Sequence, residues 1–236
     1  YQEKTGQEKI TVIPNFVPES WMGHYFNEHE IRKQFNKNKK KPRILYTGSG
    51  AHYDVDNKTG GKDDLSEVRD FIRKTVDKYQ WIFVGAFPPT LVDLVQQRKI
   101  EFYPWQTLLD YPKFIASLNA QLMVAPLQVN DFNRAKSDIK YIEACVLGIP
   151  CLCQNMDTYN TAPEALKFNT VEEFEYKIRS ILDYKNRNEY YGNIKKLRSI
   201  GEKRFLEKEP NIGAHLEVLN TPWPDEWRGS DERNFL

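Results

Sequence analysis

The chain is poor in cysteine, which limits how its fold can be held together. It has three cysteines, and two of them, Cys151 and Cys153, are separated by a single residue in an apolar run. That spacing does not match the pairs of ligands in zinc fingers, and three cysteines do not form a disulfide framework. We therefore expect buried free thiols in a reducing compartment, which favours a cytoplasmic protein, and we expect no metal site.

The chain also lacks an excess of either charge and any long hydrophobic run. Lys plus Arg number 34 and Asp plus Glu number 33, which leaves a net charge of +1. This balance gives no overall attraction to nucleic acid or to an anionic membrane, and the lysines of residues 37–41 are typical of a solvated linker. Without a run of about 18 apolar residues, no membrane span is predicted, and no signal peptide is visible.

The usual residue sets of hydrolases and metalloenzymes are not evident. Three of the four histidines, His24, His29 and His215, are scattered without the spacing of metal ligands, so we interpret them as structural or surface residues. No Ser-His-Asp set and no setting for a cysteine nucleophile can be identified. The sequence therefore does not indicate a hydrolase with a catalytic nucleophile or a metalloenzyme.

Short apolar runs alternate with helical patterns along the chain. This alternation predicts a doubly wound α/β fold, in which a Rossmann-like parallel sheet is covered on both faces. In such sheets, ligands bind where the strands end. The predicted strands are 43–47, 81–84, 100–103, 120–125 and 150–154. The segments that follow them include Gly48-Ser49-Gly50, Gly85-Ala86-Phe87, Pro126-Leu127 and Gln154-Asn155.

A polar turn leads into a helical pattern over residues 137–147. Ser137 or Asp138 is expected to cap this helix, and Lys136 and Lys140 place positive charge near its start. Free backbone amides and the positive end of the helix dipole favour phosphate there, although many lysine-rich helix starts are ordinary solvated faces. About one turn further on, Glu143 can accept hydrogen bonds from sugar hydroxyls. Together these features predict a sugar-nucleotide site.

The order of these motifs resembles a known enzyme family. Residues 12–18 (VIPNFVP), 44–49 (ILYTGS) with His52 and Asp54, Asp64-Leu65 and 81–85 (WIFVG) carry the likeness, and residues 123–150 carry it most closely. The chain resembles the C-terminal, donor-binding domain of GT-B-fold glycosyltransferases of the large retaining group, known as group 1 or family 4. The likeness spans residues 10–205.

The resemblance implies a domain organisation. Residues 1–41 would be the end of an N-terminal domain and a linker, residues 42–208 the Rossmann-like nucleotide-sugar domain, and residues 209–236 a tail packed on it. The chain starts with Tyr1 and a predicted strand at 10–13, so we expect that an N-terminal portion precedes it. That portion would bind most of the acceptor.

The resemblance also implies roles for individual residues. Arg134 and Lys136 would neutralise the departing diphosphate. Glu143 would hold the ribose. The other implied donor-binding residues are Gly48, Ser49 and Gly50 after the first strand, Tyr103 and Trp105 beside the base, Asn133 near the sugar, and Ser137 and Asp138 beside phosphate. His52 and Asp131 are further candidates.

One departure from the family pattern concerns the sugar. The paired-glutamate motif of the family has an acid eight positions before Glu143, and here that residue is Ala135. Asp131 or Asn133 would then serve the sugar. The family implies a nucleotide-diphosphate sugar as donor substrate, without a tightly bound cofactor, while the base, the sugar and the acceptor stay open.

Three other functions are weighed against this one. A nicotinamide dehydrogenase would explain Gly48-x-Gly50, but Tyr53 stands where the third glycine of that motif is needed. A binding module that has lost catalysis is favoured by Ala135 and opposed by Arg134, Lys136 and Glu143. A glycosyltransferase that modifies DNA bases would need a positive groove, which the near-neutral charge does not indicate.

Overall fold

A six-stranded sheet, parallel at every strand pair, forms the centre of the computed structural model. The structure describes residues 14–25, 28–53, 63–208, 211–213 and 216. The strand order is β3-β2-β1-β4-β5-β6, which confirms the predicted doubly wound α/β fold. The strands are β1 (Arg43–Gly48), β2 (Gln80–Gly85), β3 (Ile100–Tyr103), β4 (Leu122–Ala125), β5 (Cys151–Gln154) and β6 (Lys167–Phe168).

Helices cover both faces of this sheet. Those in the described part of the chain are α1 (Ser20–Tyr25), α2 (Glu28–Lys37), α3 (Arg69–Thr75), α4 (Val92–Gln96), α5 (Tyr111–Ser117), α6 (Asp131–Arg134), α7 (Ile139–Val146), α8 (Val171–Ile181) and α9 (Arg187–Glu202). No described helix is long and apolar enough to cross a membrane.

The apolar strands β1, β2, β4 and β5 are buried because each contributes to a core on both faces of the sheet. In β1, Leu45 belongs to one buried cluster, and its neighbours Ile44 and Tyr46 belong to the cluster on the opposite face. Burial on both faces explains why the strands appear as continuous apolar runs in the sequence. All three cysteines are buried and free, as predicted.

The described residues before β1 contact α9 and the segment just after it. The backbone of Val17 pairs with Phe205 just after α9, and the buried ring of Phe35 in α2 packs against Tyr190 and Tyr191 in α9. The predicted strand at 10–13 and most of the predicted tail, 209–236, lie outside the described residues.

One predicted helix start was wrong. From the sequence alone, the acids Asp63 and Asp64 before the apolar pattern of Leu65, Val68 and Phe71 predict that one of them caps the helix after β1, but α3 begins only at Arg69. The Asp63 carboxylate accepts a hydrogen bond from the amide of Leu65 and pairs with Arg69, which stabilises a turn over these residues. The side chain of Asp64 turns away from this helix toward the loop after β4.

Candidate functional site

A cleft opens at the carboxyl ends of β1 and β2 and extends to the start of α7. Strand β1 is paired with β2 on one side and β4 on the other. Successive strands are therefore added toward one edge of the sheet up to β3 and toward the opposite edge from β4 onward. Ligands of doubly wound sheets bind at such a point. The cleft has a volume of about 320 Å³. It is lined by Thr47, Gly48, Ser49, His52, Val84, Trp105, Gln106, Leu108, Tyr111, Ile139, Lys140 and Glu143.

Two glycines face each other at the base of the cleft. Gly48 at the end of β1 lies beside Gly85 at the end of β2, and the Gly48 carbonyl accepts a hydrogen bond of 2.9 Å from the amide of Ala86. Gly85 has a φ of +96°, and a Cβ on it would lie 2.5 Å from the Gly48 oxygen. Any larger residue at position 85 would therefore push these two strand ends apart. A Cβ on Gly50, in contrast, would meet no atom within 4 Å.

Asp64 joins the two loops that border the cleft. Its Oδ1 accepts hydrogen bonds from the amide of Gln128 at 3.0 Å and from Nδ2 of Asn133 at 2.9 Å. Its Oδ2 lies 2.7 Å from Nδ1 of His52 and 3.6 Å from Nζ of Lys136. This carboxylate is only 6% exposed, so it serves as a buried link between the loop after β1 and the loop after β4.

The charges around Asp64 keep it ionised and His52 neutral. Burial raises the pKa of Asp64, but the hydrogen bonds from His52 and Gln128 and the charge of Lys136 outweigh it, so the pKa lies below its ordinary value. The hydrogen bond to Asp64 raises the pKa of His52, yet burial and the charges of Lys140 and Lys136 together lower it below its ordinary value. Because Lys136 already compensates the carboxylate, the imidazole need not be charged.

On the other side of the cleft, Glu143 is held by Tyr111. The Tyr111 hydroxyl donates a hydrogen bond of 3.0 Å to Oε2 of Glu143. Burial raises the pKa of Glu143 to about 7, against the lowering effects of that hydrogen bond and of the Lys140 charge. Glu143 therefore titrates near neutral pH, and a ligand hydroxyl that donates to it would favour its charged form.

Lys140 lies between these two sides. Its Nζ is 3.4 Å from the hydroxyl of Tyr46 and 4.4 Å from the centre of that ring. Burial lowers the pKa of Lys140 to about 8, although the charges of Asp64 and Glu143 raise it. Ile139 and Lys140 begin α7, and their amides have no acceptor within the helix, whereas the amides of Tyr141 and Ile142 donate to the carbonyl of Asp138. This end of α7 therefore presents both a lysine and a helix dipole to the cleft.

Several of the residues predicted for the site line the cleft together, namely Gly48, Ser49, His52, Trp105 and Glu143. Trp105 is 63% exposed, so most of its ring is open to solvent. The hydroxyl of Tyr103 donates to Glu101, and its ring packs edge-on against Phe114, so this side chain does not line the cleft.

The predicted phosphate turn places its side chains in different directions. The buried Asn133 uses Nδ2 for Asp64 and for the carbonyl of Gln128. Arg134 pairs with Asp157 at 3.1 Å and is 44% exposed. Lys136 faces Asp64, and Asp131 is exposed in the first turn of α6.

The two expected caps of α7 are held by distant parts of the chain. Ser137 Oγ accepts a hydrogen bond from Nδ2 of Asn15 at 2.6 Å. Asp138 precedes the first helical residue, but its side chain makes no capping hydrogen bond. Instead it accepts two hydrogen bonds from Arg204, at 2.8 and 3.0 Å, and one from Thr161.

Two residues that shape the site, Asp64 and Tyr111, have no predicted site role from the sequence. The acid at position 64 was part of the family resemblance, which was the signal that could have identified it. Among the described residues, no group of three or more His, Cys, Asp or Glu side chains is arranged to hold a metal ion.

Comparisons with known proteins support the fold. No protein-family model matches the chain, and no curated protein matches it. Solved structures of HepE from Anabaena do match. The complex of HepE with UDP and glucose has a TM-score of 0.56 at 12% identity, over 89% of this chain and 55% of that one. The complex with UDP has a TM-score of 0.54 at 12% identity, over 89% and 56%. The chain thus shares its fold with HepE and spans little more than half of HepE's length.

Proposed function

We propose that this chain binds a nucleotide-diphosphate sugar in the cleft and supplies the donor-binding half of a GT-B glycosyltransferase. One observation carries the proposal. The cleft brings three features together: the carboxylate of Glu143, which can accept hydrogen bonds from hydroxyls, the cationic start of α7, and the glycine-containing end of β1. The start of α7 lies between the other two. A diphosphate linked on one side to a ribose and on the other to a sugar has the matching sequence of groups.

The diphosphate is assigned to the start of α7. Lys140 and the amides of the first helical turn supply positive charge that a diphosphate needs, inside a cleft where such charge is poorly screened. Arg134 ends α6 and is paired with Asp157, and Lys136 lies on the loop between α6 and α7 and is paired with Asp64. We assign to them the neutralisation of charge that builds up on the diphosphate as its bond to the sugar breaks.

The nucleoside is assigned to the side of Glu143. Its carboxylate, oriented by Tyr111, accepts hydrogen bonds from the ribose hydroxyls. Trp105 and Leu108 line the same cleft, and the open face of Trp105 offers a surface on which a base can stack. The structural likeness to HepE, solved with UDP and glucose, favours uridine as the nucleoside.

The acceptor is assigned to a second domain. The chain matches 55% of HepE, so a protein of similar length has room for another domain facing this cleft. Retention of configuration is proposed from the family resemblance. Since the proposed catalysis consists of positioning and charge stabilisation, we expect this chain alone to bind the donor and to transfer sugar poorly.

The dehydrogenase alternative fits the structure less well. A dinucleotide fold places the pyrophosphate on a helix that starts directly after β1. In the described part of this chain, β1 is followed by a short 3-10 turn at Gly50–His52, and the next described α-helix starts at Arg69. The helix whose first turn lines the cleft is α7, which follows β4.

A non-catalytic donor-binding module is the second candidate, and Ala135 favours it. Ala135 directly follows the short helix α6, and its small side chain gives the sugar no hydrogen-bonding group. Both candidates predict nucleotide binding. They differ in sugar transfer by a longer protein that includes the second domain.

Calorimetric titration with UDP, GDP, ADP and CDP tests donor binding. We expect one diphosphate to bind, and each of Glu143→Ala and Lys140→Ala to weaken it by about 10-fold or more, since each removes a cleft-lining side chain that we assign to the ligand. The matched control is Lys113→Ala, because Lys113 is exposed on α5 and does not line the cleft. A well-folded chain that binds none of the four would refute the proposal.

A further inference from the structure

The His52 ring presents one polar atom to the cleft. Its Nδ1 is held 2.7 Å from Asp64, and the side chain is 16% exposed. Among the described residues, Nε2 of this ring has no hydrogen-bond partner. Because His52 lines the cleft and Nδ1 is occupied, a polar contact between this ring and a ligand has to be made through Nε2.

The surroundings determine whether Nε2 donates or accepts. Lys136 lies 3.6 Å from the same carboxylate oxygen that holds Nδ1, and Lys140 lies over Tyr46, the ring that packs edge-on against His52. Two nearby cations disfavour an imidazolium, while Asp64, the facing acid, keeps the proton of the neutral ring on Nδ1. Nε2 then carries a lone pair. A phosphate oxygen has no hydrogen to offer it, so the partner must be a donor such as a hydroxyl.

The order of groups along the cleft indicates which hydroxyl this is. Lys140 is one helical turn from Glu143, and it contacts Tyr46, whose ring packs against His52. Lys140 therefore lies between Glu143 and His52. In a nucleotide sugar the diphosphate likewise lies between the ribose and the sugar. With the ribose at Glu143 and the diphosphate at Lys140, the sugar extends toward His52.

We propose that Nε2 of His52 accepts a hydrogen bond from a hydroxyl of the transferred sugar, so that His52 helps to select the donor sugar. Asp64 is the positioning residue that fixes the ring and its tautomer. This inference rests on the proposed function. It assigns sugar recognition to the loop after β1. The segment after β4 has Ala135 at the position where the family has an acid, so it offers no carboxylate to the sugar there.

The test compares UDP with UDP-sugars on the wild-type chain and on His52→Phe. Calorimetry with UDP, UDP-glucose, UDP-galactose and UDP-N-acetylglucosamine should show that at least one sugar adds affinity in the wild type. In His52→Phe we expect UDP to bind within about 2-fold of wild type, and the preferred UDP-sugar to bind about 3- to 10-fold more weakly, the range for one neutral hydrogen bond. A merely structural role for His52 would weaken both ligands alike.

Nitrogen-15 NMR of the wild-type imidazoles gives a readout that needs no variant. The chain has only four histidines, which makes assignment of His52 feasible. We expect the neutral Nδ1–H tautomer, with the Nε2 signal changed by the UDP-sugar and not by UDP. Equal weakening of both ligands in His52→Phe, or an Nε2 signal that does not respond to the sugar, would overturn the inference while donor binding stands. A well-folded wild-type chain that binds none of UDP, GDP, ADP and CDP would overturn both the inference and the proposed function.

Discussion

The buried carboxylate of Asp64 provides a quantitative test of how the two loops of the cleft are held. In Asp64→Asn, the amide oxygen can still accept from Gln128 and Asn133, but the charge is lost and the contact with His52 becomes a neutral one. Each of three charge-assisted hydrogen bonds then weakens by about 1 kcal/mol. Part of this loss is offset because an uncharged group is cheaper to bury. We expect the free energy of unfolding to fall by about 2 to 3 kcal/mol at neutral pH, measured by urea denaturation with an unchanged m-value.

Asp157→Asn is the matched control. Asp157 is 77% exposed and pairs with the 44% exposed Arg134, so its replacement should cost less than about 1 kcal/mol. The pKa of Asp64 is depressed in the folded chain, so its contribution is fully present above the unfolded pKa of about 3.9 and disappears as the pH falls through the folded value. Equal and small effects of the two substitutions at neutral pH would show that Asp64 does not hold the loops together.

Three further outcomes follow from the geometry. Because burial raises the pKa of Glu143 to about 7, about half of these groups are protonated at pH 7, and a nucleotide whose ribose donates to the carboxylate should release up to ~0.5 proton. Calorimetry in buffers of different ionisation enthalpy should detect this release in the wild type and not in Glu143→Gln. Gly85→Ala should lower the free energy of unfolding by at least about 2 kcal/mol, because Gly85 has a positive φ and a Cβ there would lie close to the Gly48 oxygen. Gly192→Ala in α9 is the control. A Cβ at position 192 meets nothing within 4 Å, so this change should raise the free energy of unfolding by ~0.5 kcal/mol. The buried cysteines should resist a thiol reagent in the native chain and react fully in urea. Proton uptake on binding, a tolerated Gly85→Ala, or rapid native labelling would each contradict the structure.

Much of the fold could be predicted from local patterns. Five of the strands are apolar runs bounded by turn residues, and burial on both faces makes such runs easy to recognise. The sixth, β6, has only two residues, Lys167–Phe168, and a segment so short has no periodicity to detect. It exists because the edge of β5 is available for pairing, which is a property of the folded sheet.

The candidate site was only partly predictable, for a related reason. Residues that directly follow a strand or lie about one turn into a strongly periodic helix, such as Ser49 and Glu143, could be placed from their positions alone. The partners of Asp64 and Asp138 could not, because each pairs across the fold. Asp64 binds Asn133, 69 positions away, and Asp138 binds Arg204, 66 positions away. No local pattern specifies which distant side chain a buried charge will meet.

The central claim is that the cleft between the end of β1 and the start of α7 holds the diphosphate of a nucleotide sugar. A crystal structure of the chain with UDP would test it most directly. The account predicts the diphosphate against Lys140 and the first turn of α7, with the ribose hydroxyls on Glu143 and the base beside Trp105. UDP bound elsewhere on the chain, or a cleft that stays empty at saturating UDP, would contradict it.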